Sequence, residues 1–202
     1  MRVFSFIIFL LIEMQSSFAL DHFWGARAGF GISGFIGSDS PEDAKTGYAW
    51  SLSAIGAQAF YPNGPLWGTE ISYSMLNMSV DTVLWNDNSG YFDDTSSYNQ
   101  SFGRISLGLF LMKNWDFGMN FYAGPQVSYL LSCTKSFYDD GDIACSDDYK
   151  TFQLDAQMTF MLFIADPFAI DFKYVQTLMP FDKKGEKHIL SAFGSIGVLY
   201  EF

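Results

Sequence analysis

Basic residues are scarce in this chain: 11 Lys and Arg stand against 22 Asp and Glu, for a formal net charge of -11. With no basic stripe to neutralise phosphates, the composition argues against a nucleic-acid partner. Histidine occurs twice, as His22 and His188. No zinc spacing, haem motif or phosphate loop accompanies them, and no cofactor is expected. Glu186 and Ser191 lie close to His188 in sequence. Nothing frames the three as acid, nucleophile and base, so an envelope hydrolase is the least favoured function and the chain reads as non-enzymatic. Cysteine also occurs twice, as Cys133 and Cys145. The two lack the close spacing of a redox-active pair. In an oxidising compartment they are expected to form a disulfide stapling an outer hairpin, worth about 3 kcal/mol in the chain-entropy picture.

Long apolar runs are missing as well. Arg2, the stretch Val3 to Ile12 and the small-x-small Ser17-Phe18-Ala19 read as a secretory signal over 1–19, cleaved after Ala19, with the working domain at 20–202. Glu13 interrupts that stretch short of the ~20 apolar residues that span a bilayer. Further on, the most apolar stretch, Met158 to Ala165, stops at Asp166-Pro167. Any crossing of a membrane must therefore use strands, and these can cross only as a closed barrel with every backbone group paired.

What the chain does have is a rhythm. Half-apolar segments fall at about 24–35, 49–61, 66–79, 101–111, 117–131, 151–163, 167–176 and 190–202. The links after the second, fourth and sixth are tight, and the other four are long. Short turns on the periplasmic side and longer loops outside are the plan of an up-and-down barrel in a bacterial outer membrane. The expected fold is therefore all-β: an eight-stranded antiparallel transmembrane barrel with both termini in the periplasm. Ten strands would result if the second long connection hid a further hairpin.

Period-two alternation identifies the faces. In the fifth segment Met119, Phe121, Ala123, Val127, Tyr129 and Leu131 share one face, and Asn120, Tyr122, Gly124, Gln126 and Ser128 the other. The second segment is apolar on both faces and stays ambiguous. Large aromatics and leucines on one side, with glycine, serine and charge on the other, suit a lipid exterior and a small lumen. The polar face collects Arg27, Glu70, Arg104, Asp155, Asp171 and Lys173. Eight strands enclose a space that side chains fill, and unpaired charge there is costly, so these six are expected to form a salt-bridged plug. A narrow channel for small solutes or ions is the alternative.

Aromatics gather beside the short turns and termini, at Trp24, Tyr61, Trp67, Trp115, Phe117, Phe168, Tyr200 and Phe202. That is the interfacial girdle of such barrels, in contact with outer-membrane lipid. Most acids fall in the long connections, from Asp39 to Asp43, Asp81 to Asp94, Asp139 to Asp148 and Asp182 to Glu186. They would form an acidic outer rim that keeps the surface solvated or steers partners. Trp85, Tyr91, Phe92 and Tyr98 stand among the acids of the second loop, a mixture suited either to contact with an extracellular or envelope protein or to a strand extension guarding the rim. Asp139, Asp140 and Asp142 supply oxygens for weak calcium binding but do not match EF-hand spacing, and no metal site is expected.

Three segments carry a family resemblance: Gly25-Ala26-Arg27-Ala28-Gly29-Phe30, Phe121-Tyr122-Ala123-Gly124-Pro125 running into Ser128 to Ser132, and the closing Gly194 to Phe202. Through them the chain resembles the small eight-stranded outer-membrane β-barrel proteins, the PorT-type or "porin family" group. The resemblance implies that Tyr200 and Phe202 belong to a terminal strand signal read by the barrel-assembly machinery. Because that group is functionally diverse, it implies no role in secretion. Surface structure, adhesion or partner binding through the acidic loops is the expected function.

Overall fold

Alternation of this kind makes each segment a strand that must bury one face and pair both edges. The computed structural model of the chain satisfies both demands by closing the strands on themselves. It describes residues 22–36, 44–59, 61, 64–85, 92–115, 118–137, 141–145, 147–180 and 190–202. In chain order the strands are β1 (His22–Ile36), β2 (Ala44–Lys45), β3 (Gly47–Ala59), β4 (Leu66–Trp85), β5 (Phe92–Trp115), β6 (Met119–Phe137), β7 (Gly141–Ala144), β8 (Phe152–Ala165), β9 (Phe168–Thr177) and β10 (Leu190–Glu201).

The wall runs β1-β3-β4-β5-β6-β8-β9-β10 and closes through antiparallel pairing of β10 with β1, from Gly25↔Glu201 to Ile36↔Leu190. The barrel thus has eight strands. β2 and β7 are short additions that pair with the outer ends of β4 and β6. Among the described residues no helix is long and apolar enough to cross a membrane. The proposed signal, residues 1–19, lies outside the described residues, as do Phe117, Asp139, Asp140, Glu186 and His188.

Several boundaries depart from the sequence reading, β5 running on to Trp115 and β6 to Phe137 where ends near 111 and 131 are expected. β4 and β5 continue well beyond 79 and start well before 101, staying paired as far as Leu84↔Asp94 and Trp85↔Phe92. The second long connection is therefore largely a strand extension. Its residues include strand formers such as Val80, Thr82, Val83, Thr95 and Tyr98. Acids and apolar residues mix there without the sustained period of two that marks a buried strand. At the other end, β6 starts at Met119 rather than 117, because the turn needs Gly118 at φ +77°, a left-handed conformation that glycine adopts without steric cost. Gly118 N donates to Trp115 O at 3.1 Å and Gly118 O accepts from Phe163 N at 2.8 Å, tying this turn to β8.

The two faces separate as the alternation predicts. Leu107, Leu109, Leu111, Val127, Met158, Phe172, Ile196 and Val198 point outward and are exposed. The girdle residues Trp115, Phe168, Tyr200 and Phe202 are exposed near the tight links and termini, and Tyr200 packs edge-on against Phe168 and Phe202 with centroids 5.3 Å apart.

The inward face is more varied than a uniformly polar lumen. An inner apolar layer gathers Phe23, Ile55, Ala57, Leu66, Phe110, Met112, Tyr122, Met161 and Leu199 near the short turns. An outer one gathers Leu76, Met78, Phe102, Leu130, Val175 and Phe193 near the long connections, together with both cysteines. The lower half of β3 contributes Ile55, Ala57 and Ala59 to the inner layer, which explains why that segment reads as apolar on both faces.

Candidate functional site

Between the two apolar layers lies a polar section, and the structure brings all six predicted lumen charges into it, each buried. Asp171 and Lys173 alternate inward along β9, while Arg27 arrives from β1 and Glu70 from β4. Arg27 Nε donates to Asp171 Oδ1 at 2.6 Å, and its other nitrogens donate to Ser51 Oγ at 2.8 Å and Ser195 Oγ at 2.7 Å. Lys173 Nζ donates to Glu70 Oε1 at 2.6 Å. Glu70 Oε2 also accepts from Tyr122 Oη at 2.9 Å, linking the charges to the inner layer, where the Tyr122 ring lies 4.4 Å from that of Phe110.

The third pair is looser. Arg104 Nη1 donates to Gln153 Oε1 at 3.0 Å and Ser191 Oγ at 3.4 Å. Asp155 Oδ2 accepts from Ser128 Oγ and from Gln126 Nε2. These two charges are held by neutral neighbours rather than by direct contact. Desolvation costs several kcal/mol per ion in such a setting, so the pairs add little net stability but make any single loss expensive.

Small residues make room for these side chains. The register aligns Arg27, Ser53, Ser72, Ser106, Ser128 and Gln153 across six strands, and the serines leave the axis open to the longer groups. A Cβ on Gly197 would lie 2.8 Å from Ala28 O, 2.8 Å from Asp171 Oδ2 and 3.1 Å from Arg27 Nε. On Gly194 its nearest neighbour would be 4.0 Å away. Gly197→Ala is therefore expected to destabilise the barrel by about 1–3 kcal/mol, whereas Gly194→Ala stays close to the parent. Urea titration of the folded protein in detergent checks both.

Cys133 and Cys145 form the disulfide, with Cα atoms 5.0 Å apart. They form the rung below Thr134↔Ala144, at the base of the outer β6–β7 hairpin, so the expected stapled hairpin is present, but the bridge points into the barrel rather than out to solvent. The two residues are only 4% and 2% exposed and sit in the outer apolar layer. The cause is a bulge: Gly103 pairs with Ser132 but Arg104 pairs with Leu130, so Leu131 is extra. A bulge of one residue reverses the faces beyond it, and Cys133 turns inward. Sequence alternation offered no signal for this.

The remaining predicted residues stay apart. Ser191 is buried in the lumen, sharing a hydrogen bond with Thr177 Oγ1 at 2.7 Å. Asp142 is exposed on β7, and among the described residues no group of His, Cys, Asp or Glu could hold a metal ion. Tyr91 lies outside the described residues, as do the side chains of Trp85 and Phe92, whose backbones pair at the tip of the extended hairpin. Tyr98 is half-buried beneath Lys135, whose Nζ is 6.0 Å from the ring centroid. Lys135 also pairs with Asp148 at 2.9 Å.

Residues 15–183 match the family model described as "Outer membrane protein beta-barrel domain". No curated protein matches the chain. Among solved structures it is similar to Neisserial surface protein A, at 11% identity and a TM-score of 0.50, over 89% of this chain and 97% of that one. It is also similar to Ail, the attachment invasion locus protein of Yersinia pestis, solved in complex with the heparin analogue sucrose octasulfate. That match has 13% identity and a TM-score of 0.51, over 91% of this chain and 100% of the other. At such identities the likeness shows the fold alone.

Proposed function

The chain belongs to the outer membrane protein beta-barrel domain family and resides in the bacterial outer membrane, and from that premise we propose that it is a non-conducting, non-enzymatic surface protein acting through its outer loops. One observation carries the reading: the lumen is closed three times over, by an inner apolar layer, a charge-paired section and an outer apolar layer. An ion entering from either side would meet a dry layer, where charge is strongly disfavoured. What remains available to a partner is the exterior, above all the β4–β5 extension, which stands beyond the ends of its neighbours.

The acidic character of the long connections favours a cationic or neutral protein surface as the partner. A polyanion such as the heparin analogue in the Ail structure would be repelled. The outward Tyr200 and Phe202 suit recognition by the barrel-assembly machinery before the strand is inserted.

Planar-bilayer recording tests the sealed lumen: the purified protein is expected to give no unitary currents, and steady currents abolished by substituting Arg104 or Asp155 would establish the channel instead. Replacing residues 82–94 by a two-residue turn should leave the barrel folded and remove adhesion of cells displaying it. Turnover of lipid or ester substrates, lost in His188→Ala, would return the protein to the hydrolases.

A further inference from the structure

The outer apolar layer is not made by the barrel wall alone. Cys145 and Tyr149 belong to the connection after β7, yet Cys145 lies within that layer and Tyr149, partly buried, packs against it. Tyr149 packs edge-on against Phe102 with centroids 5.1 Å apart. Cys145 N donates to Cys133 O at 3.0 Å. Gln100, buried on β5, is placed to hold them together. Its Nε2 donates to Tyr149 Oη at 2.8 Å and approaches the Cys145 and Cys133 sulfurs at 3.4 and 3.6 Å, and its Oε1 accepts from the same hydroxyl. A buried carboxamide would not be left in an apolar layer without such partners. Its position ties its stability to the presence of Cys145 and Tyr149.

We propose that Cys145 and Tyr149 form a lid over the outer mouth of the barrel, latched by the disulfide and by Gln100, so that unlatching opens the polar section to the outside while the inner layer stays closed. Two external thiols suffice for the chemical release: they pass two electrons to the Cys133–Cys145 bond, which becomes two cysteine thiols, and leave joined as a disulfide. The open form is a cup facing outward, not a pore. Arg104 lies directly beneath the lid, two residues from Phe102 and paired in the sheet with Leu130 of the outer layer. Arg27 lies deeper, next to Asp171 and the Glu70–Lys173 pair that contacts the inner layer through Tyr122.

Arg27 and Arg104 are the only arginines after Arg2, so phenylglyoxal labelling read by mass spectrometry reports the two depths separately. With the disulfide intact, both are expected to be protected. In Cys133→Ala/Cys145→Ala, and in the parent protein treated with dithiothreitol, Arg104 should react about tenfold faster or more, the scale of a local opening, with Arg27 still protected. Tyr149→Ala with the disulfide retained should give a smaller rise at Arg104. Heat-modifiable gel migration must persist in each sample. Three results would overturn the lid: Arg104 reactivity unchanged by unlatching, Arg104 already reactive in the latched protein, or Arg27 rising in step with Arg104, which would mean a loosened barrel.

Discussion

Asp171→Ala is expected to be among the most damaging single substitutions in this protein, costing about 3–5 kcal/mol, because it leaves the Arg27 guanidinium buried without its carboxylate. Both side chains of the pair are fully buried, and only Ser51 and Ser195 would remain as neutral acceptors for Arg27. Removing both charges is a different matter. Arg27→Met/Asp171→Leu deletes the desolvation cost along with the attraction and should recover most of the loss. The measurement is reversible urea unfolding in detergent micelles or lipid vesicles, followed by tryptophan fluorescence and by heat-modifiable migration. If Asp171→Ala unfolds within about 1 kcal/mol of the parent, the lumen is wetter than its apolar layers imply.

One residue further along β9 the rule reverses. Phe172 faces outward and is 50% exposed, with Phe160 and Ile196 as its lateral neighbours in the sheet. Phe172→Arg is expected to cost about 2–4 kcal/mol in lipid vesicles, the range for a basic residue on the lipid face near the bilayer midplane. In detergent micelles, which deform around a charge more readily than a bilayer does, the penalty should shrink. A cost equal in both media would place Phe172 outside the hydrocarbon region. Taken together, the neighbours Asp171 and Phe172 test the assignment of inside and outside at a single rung of the wall.

Much of this was legible in the chain, and the departures share a physical cause. The alternation in β5, β6 and β8 reports which face meets lipid, since every second residue there is large and apolar. It says less about the lumen. Tyr122, Ile55 and Met161 point inward because eight strands close around a space that must be filled, and at its two ends apolar bulk fills it. A single extra residue at Leu131 reversed the face of Cys133, and periodicity carries no mark of a bulge. The β4–β5 extension was hidden for a different reason: residues 80–85 and 92–97 mix acids with apolar residues without a sustained period of two, and only the backbone pairing shows them as strand.

By itself the sequence determined a strand-built wall with a greasy exterior, the location that follows from it and the set of charges facing inward, because these depend on local alternation and on turn length. The choice of eight strands over ten came from the closure of β10 on β1. Only the tertiary structure decided who meets whom across the lumen: Arg27 with Asp171, Lys173 with Glu70, and Arg104 with neutral neighbours below a cysteine-latched lid. Those partners come from strands distant in the chain and are brought together by register and closure, which are properties of the whole ring.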